Sequence, residues 1–382
     1  MKIIVDENMP YGKEAFSTLG EVVTMPGRAM DAAAVADADI LAIRSVTKVN
    51  AALLDGSKVR FVGTATIGED HVDKAYLEEK GIGFSSAPGC NANSVGQYIT
   101  AALLELAEAY DFQLRSTKLG IVGVGNVGSR VLEKASAMGM ECILNDPPLE
   151  RETGDAKYRP IEEIFDCDIV TIHVPLTKAG PNPTYHLVEE IFLRQMKPGS
   201  ILVNSSRGAV VDNVALKKAL LNGYLEACVL DVWEGEPVVD LELLEQAFIG
   251  TPHIAGYSFD GKVNGTRQIY EAACVFFGRE PVWDPSPLLP APACPEVRVA
   301  GATSAPEAAL REAVRKVYDI RQDDKAMRRL FEMVQSDRGA FFDTLRKNYP
   351  VRREFFNTRA VINPRNPELE AMFSGVGFQC EE

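Results

Sequence analysis

The run GIVGVGNVG at residues 120–128 constrains this chain more than any other stretch. Gly123, Gly125 and Gly128 stand in GxGxxG order directly after an apolar strand pattern and open a helical one. In that setting the first glycine makes a tight turn. The second lets the backbone approach a pyrophosphate, and the third lets helix and strand pack closely. The helix start at Asn126 and Val127 offers free N–H groups and a positive dipole end to the phosphates. Eighteen residues past Gly128, Asp146 ends the next strand pattern in ILNDPP. A carboxylate there accepts from the ribose hydroxyls and repels a 2′-phosphate, so NAD rather than NADP is the expected cofactor. The plainer role for Asp146 is to cap a turn.

The surrounding pattern is α/β. KIIVD, ILAIRS, RFVGTAT and IGFSSA alternate with helical segments through residue 87, as in a parallel layer. NANSVGQYITAALLELAEAYD then predicts one long helix capped by Asn93 or Ser94. Alternation restarts with KLGIVGVG, ECILND, DIVTIHV, SILVNSS and EACVLDV, a second α/β unit. After a last helical pattern at 257–278, REPVWDPSPLLPAPACP places six prolines in 17 residues, a stiff connector rather than a helix. Residues 296–382 mix helix and strand patterns and read as a third domain.

A chain of 382 residues with 46% hydrophobic and 25% charged residues suits a globular protein of two or three domains. Its formal charge of −14 is uneven: residues 296–382 carry 15 Lys and Arg against 14 Asp and Glu, and residues 1–295 carry 25 against 40. That field repels nucleic acid and anionic lipid, so neither is an expected partner. Seven scattered cysteines without CxxC spacing read as reduced thiols and point to the cytoplasm. The N-terminal MKIIVDENMP reads as a strand and turn rather than a leader, and no stretch reaches the ~20 apolar residues of a membrane span. No cluster of His, Cys and carboxylates has ligand spacing, so no metal is expected.

Three further segments carry chemistry. NSSRGAVVD places Arg207 in a loop after a strand, facing the expected cofactor crevice or else pairing with a surface acid. VLDVWEGEP ends a strand at Asp231 and follows it with Glu234 and Glu236. GTPHIAGYSFDG sets His253, one of four histidines, in a proline- and glycine-bounded turn. A lone histidine is as readily structural as catalytic.

Arginine, glutamate and histidine in that order after a GxGxxG unit resemble the D-2-hydroxyacid dehydrogenase family, whose contexts N-x-x-R-G, D-V-x-x-x-E-P and P-H-I-x-G stand here intact. TIHVPLT at 171–177 is similar to that family's loop beside the cofactor. The family match runs from about residue 40 to 280, and RSVTKVN, GTATIGEDHVD, PGCNANSVGQY, GPNPTYHL and, in the last domain, VYDIRQDD resemble one member of it over nearly the whole chain.

The resemblance implies a Rossmann domain at 91–256 and a flavodoxin-like split substrate domain at 1–90 plus 257–280. It also implies a linker at 281–295 and an α+β dimerisation domain at 296–382, hence a homodimer. It implies Arg207, Glu236 and His253 as the catalytic set, acting on a small phosphorylated 2-hydroxy acid. Gly123, Gly125, Asn126, Val127, Gly128, Asp146, Val174, Ser206, Arg207, Gly208, Asp231 and Gly256 would line the cofactor. Arg44, Ser45, Thr66 and Tyr257 would contact substrate. His71, His173 and His186 are left structural.

The catalytic set alone does not fix the substrate, since a phosphoglycerate-oxidising relative or an idle NAD-sensing protein on the same fold would share it. A phosphate dianion needs a local positive site in so acidic a chain. Arg44 and Lys48 flank Ser45. Arg346, Lys347, Arg352 and Arg353 in LRKNYPVRRE either form a solvated or ion-paired face or reach the phosphate from a partner subunit.

Overall fold

The computed structural model describes residues 1–380. The chain divides into two compact units, Met1–Ala92 with Tyr257–Ala291, and Asn93–Gly256 with the segment from Pro292 onward.

The first unit holds β1 (Lys2–Asp6), β2 (Glu21–Met25), β3 (Ile40–Ile43), β4 (Phe61–Thr64) and β5 (Gly83–Ser85). All run parallel in the order β2-β1-β3-β4-β5, a flavodoxin-like arrangement. β3 and β4 are buried along their whole length, which is why they read as unbroken apolar runs. β2, EVVTM, was not among the expected strands: it is an edge strand with three of its five residues exposed, so its sequence lacks that signal. The helix Phe259–Phe276 covers β4, with Ile269 so close to Gly63 that an added Cβ would stand 3.0 Å from it.

The second unit is built on α1 (Ala92–Ala109) and a six-stranded parallel sheet. Its strands are β6 (Lys118–Val122), β7 (Glu141–Asn145), β8 (Ile169–Ile172), β9 (Ile201–Asn204), β10 (Ala227–Leu230) and β11 (Ile249–Gly250), ordered β11-β10-β9-β8-β6-β7. Strand order reverses between β6 and β8, the place where a doubly wound sheet opens a crevice at its carboxyl edge. α2 (Asn126–Ala137) follows β6, and α3 (Pro147–Thr153) follows β7.

The expected cap of α1 is corrected. The helix already begins at Ala92, so Asn93 and Ser94 lie inside its first turn, and both side chains make tertiary bonds instead: Asn93 to Glu354, and Ser94 to the carbonyl of Ala255.

The C-terminal segment has its own parallel sheet of β12 (Glu296–Ala300), β13 (Arg359–Asn363) and β14 (Gln379–Cys380), with α4 (Pro306–Val317), α5 (Ile320–Arg328) and α6 (Arg338–Lys347). It belongs to the second unit: Met327, Leu330 and Phe342 are buried in one cluster with Val170, Leu202 and Leu230 of the large sheet. Arg315 on α4 bonds Glu105 and Glu108 on α1, which adds a charged seam to the apolar one. All seven cysteines are free thiols. Among the described residues no helix is long and apolar enough to cross a membrane.

Candidate active site

The dinucleotide loop folds as its glycines require. Gly123 turns the chain at φ +86°, and a Cβ there would stand 2.6 Å from the His173 carbonyl oxygen. Any side chain at Gly128 would strike the Gly123 carbonyl, so the helix can pack against the loop only with glycine there. Around Gly125, by contrast, an added Cβ meets nothing, which leaves open space at the N-terminus of α2. A bare backbone before a helix start is the cradle a pyrophosphate needs, so the residues fit NAD.

Asn126 and Val127 open α2, and the Val174 side chain packs over Gly123. Asp146 takes the plainer role expected of its position, as a cap, and also ties down the glycine loop. One carboxylate oxygen accepts from Leu149 N at 3.0 Å as the cap of α3, and the other accepts from Val124 N at 2.8 Å inside the glycine loop.

Arg207 follows β9 in a loop held by a buried asparagine. Asn204 Nδ2 donates to the Arg207 carbonyl (3.0 Å), while Asn204 Oδ1 accepts from the backbone and hydroxyl of Ser206. Gly208 lies directly on the Trp233 carbonyl, where no side chain could fit, so the arginine loop is packed against the strand end that carries the glutamates. Glu236 is bonded on both oxygens, to Trp233 N at 2.8 Å and to His253 Nδ1 at 2.8 Å. Burial pushes its carboxyl up, but His253, the Trp233 N–H and the Arg346 charge outweigh burial and hold it below the ordinary carboxylate value.

His253 stands at φ +57°, a left-handed conformation that is uncommon for a residue with a side chain. Its loop is secured by Asp231, fully buried at the end of β10. That carboxylate accepts from Thr251 Oγ1 (2.7 Å), Ile254 N (2.7 Å) and Ala255 N (3.0 Å), and the Asp231 carbonyl accepts from His253 N (2.7 Å). Gly256 closes the loop and the unit. Arg207, Glu236 and His253 thus lie on three loops at the carboxyl ends of neighbouring strands of one sheet, with Gly208 against Trp233 joining the first two and the 2.8 Å bond joining the last two.

The substrate candidates belong to the first unit. Arg44 and Ser45 follow β3, and Thr66 follows the adjacent β4. Arg44 Nη1 donates to the Asn8 carbonyl at 2.8 Å, and Thr66 Oγ1 shares a 2.8 Å hydrogen bond with Thr64. Tyr257 carries the Lys262 ammonium 4.5 Å above its ring.

The remaining histidines are tied down. His71 bonds Thr64, His186 pairs with Glu234 at 2.7 Å, and His173 bonds Thr171, with burial pushing its imidazole down to about 3. Among the described residues no group of three or more His, Cys or carboxylates could hold a metal.

The basic run of the C-terminal segment is corrected in part. Arg352 and Arg353 are buried within this chain rather than forming a solvated face, and Arg352 is engaged by Ser94 and Ala255. The supports from Thr251, Ser94 and Arg352 leave no local signal because each acts through a contact far along the chain, whereas Asn204 holds Ser206 and Arg207 close by.

A glycine loop for NAD beside an arginine and a glutamate-paired histidine on successive strand ends defines a dehydrogenase of the 2-hydroxyacid class. Residues 99–255 match the family described as D-isomer specific 2-hydroxyacid dehydrogenase, NAD binding domain, and residues 288–377 match a domain of unknown function.

The chain belongs to the erythronate-4-phosphate dehydrogenase family: it is 49% identical over 381 residues to the proteins of that name from Escherichia coli O1:K1 and Shigella flexneri, covering 100% of this chain and 98% of each relative. Among solved structures, the D-lactate dehydrogenase of Aquifex aeolicus complexed with NAD and lactic acid is 25% identical with TM-score 0.56, covering 72% of this chain and 95% of that one. The NAD-dependent formate dehydrogenase of Staphylococcus aureus, 24% identical with TM-score 0.61 and covering 74% and 98%, shares the fold. The chain is therefore an NAD-dependent oxidoreductase acting on a CH–OH group.

Proposed function

We propose that the protein oxidises 4-phospho-D-erythronate to 3-hydroxy-2-oxo-4-phosphooxybutanoate in the route to pyridoxal 5′-phosphate. The bond of His253 to the half-buried Glu236 is the observation that carries the chemistry. Arg207 pairs with the C1 carboxylate and the C2 oxygen, a bidentate task that a lysine would not perform. His253, anchored through Nδ1, takes the C2 hydroxyl proton on Nε2 as the carbonyl forms. Glu236 fixes the ring and stabilises the imidazolium. NAD, when bound, accepts the hydride that leaves C2. Arg44, Ser45, Thr66 and Tyr257 supply substrate contacts, and Arg44 contributes charge for the phosphate. The C-terminal segment forms a homodimer, which sedimentation of the full chain at micromolar concentration tests.

The direct test is NADH formation with 4-phosphoerythronate and with 3-phosphoglycerate. Turnover of the first alone is expected, whereas turnover of the second alone, or of neither, overturns the assignment. NAD should be preferred over NADP by at least ~100-fold, equivalent to two or three kcal/mol of repulsion and lost bonding at Asp146. Equal kcat/KM with both cofactors removes that role. Arg44→Ala should raise KM for the phosphorylated acid far more than for erythronate, and an equal rise in both places the phosphate elsewhere.

A further inference from the structure

The domain of unknown function holds the catalytic loop from outside. The span from Gly250 to Ala255 carries His253, and side chains of the C-terminal segment bond it at both ends. Asp324 Oδ1 accepts from Gly250 N at 2.8 Å, and Arg352 Nη2 donates to the Ala255 carbonyl at 2.7 Å. Ser94 Oγ donates to the same carbonyl at 2.9 Å and is itself bonded by Arg352. On the inner side the loop is already held by Asp231.

Arg352 is buried, and its guanidinium lies 4.2 Å above the Tyr318 ring and 5.8 Å from that of Tyr349. Both tyrosine hydroxyls donate to Asp323 at 2.9 Å, so this carboxylate is bonded by the phenols and makes no hydrogen bond to Arg352. Arg352 Nη1 makes no hydrogen bond among the described residues. A guanidinium buried at such cost, with a backbone carbonyl and a serine as its hydrogen-bond partners, is built to fix that carbonyl. The carbonyl belongs to the residue between Ile254 and Gly256. A left-handed histidine persists where its surroundings over-determine it, and here the two ends of its loop are held from two sides.

We propose that the C-terminal domain acts in cis as a brace on the His253 loop, with Arg352 as a positioning residue for the general base. The proposal rests on the reading of His253 as that base. A displacement of about 1 Å at a reacting group can lower rate by as much as ~10²-fold, so slackening this loop acts on turnover more than on binding.

The test uses full-length Arg352→Met, Arg352→Lys and Ser94→Ala. Expected are a ~10- to 100-fold loss of kcat in Arg352→Met with KM for 4-phosphoerythronate within about threefold, partial recovery in Arg352→Lys, and a smaller loss in Ser94→Ala. Amide hydrogen exchange at Ile254 and Ala255 should speed up in the same order, while amides of β9 and β10 stay protected. If Arg352→Met gives no cooperative thermal transition, Arg352→Lys and Ser94→Ala decide. Wild-type kcat and exchange in those two overturn the brace, as does a loss confined to KM. Wild-type protein inactive on 4-phosphoerythronate would sink the reading of the reaction instead. The exchange pattern judges the brace independently of that outcome.

Discussion

His253 and His186 look alike in isolation. Each pairs with a glutamate, at 2.8 and 2.7 Å. Each is about as exposed, 30% and 28%, and each sits in left-handed backbone, at φ +57° and +50°. Their glutamates are two residues apart. The difference is in how each ring is held. His253 is anchored by Nδ1, which leaves Nε2 at the tip of the ring, while His186 uses Nε2 itself and stacks on Tyr185 with ring centroids 4.1 Å apart.

Glu236 is bonded by a backbone N–H of its own loop. Glu234 bridges to Asn213, whose side chain accepts from the Glu234 N–H at 3.1 Å, so that pair pins two loops together. A histidine–carboxylate pair is therefore not a general base by its contact alone. The free nitrogen and the support behind the pair decide its role.

The sharpest way to break this comparison is to swap each ring for an amide. His253→Gln should lose roughly 10²–10⁴-fold in kcat with cofactor binding retained. His186→Gln should change kcat by no more than about threefold, under 1 kcal/mol. Comparable losses in both, read from steady-state kinetics, would erase the distinction.

Next in size, Glu236→Gln should cost about 10- to 100-fold in kcat because the imidazolium loses its stabilising charge. Glu234→Gln should leave turnover near normal. Kinetics of the two variants side by side checks the pair.

Acid titration sharpens the same contrast through stability. The folded carboxyl of Glu236 lies below its ordinary value, so its ionisation contributes stability that is complete above that value. The contribution is lost as pH falls through the ordinary value toward the lower folded one. The stability gap between wild type and Glu236→Gln should therefore shrink as pH falls through and below the ordinary carboxylate value, measured by urea unfolding at several pH values. A gap that widens on acidification would reverse the assigned cause. The smallest effect is expected for Glu234→Gln, whose partly exposed pair should be worth at most about 1 kcal/mol of unfolding free energy at neutral pH.

Local signals made much of this legible. GxGxxG after an apolar strand, Asp146 at the next strand end, and Arg207, Glu236 and His253 after successive strands are features of spacing, and parallel strands buried on both faces announce themselves as apolar runs. The edge strand β2 did not, because exposed residues carry no such run.

What tertiary structure alone decided are the relations between distant segments. Ser94 reads as a helix cap, yet it bonds a carbonyl 161 residues away. Arg352 reads as part of a solvated or ion-paired face or of a partner's phosphate site, yet it is buried against the same carbonyl. The roles of His253 and His186 were separable in sequence only through the surrounding motif. Which ring nitrogen each one uses depends on loop packing that no short window encodes. Backbone propensity and hydrophobic periodicity are properties of neighbours in the chain, whereas a buried hydrogen bond is chosen by whichever polar group the completed fold would otherwise leave without a partner.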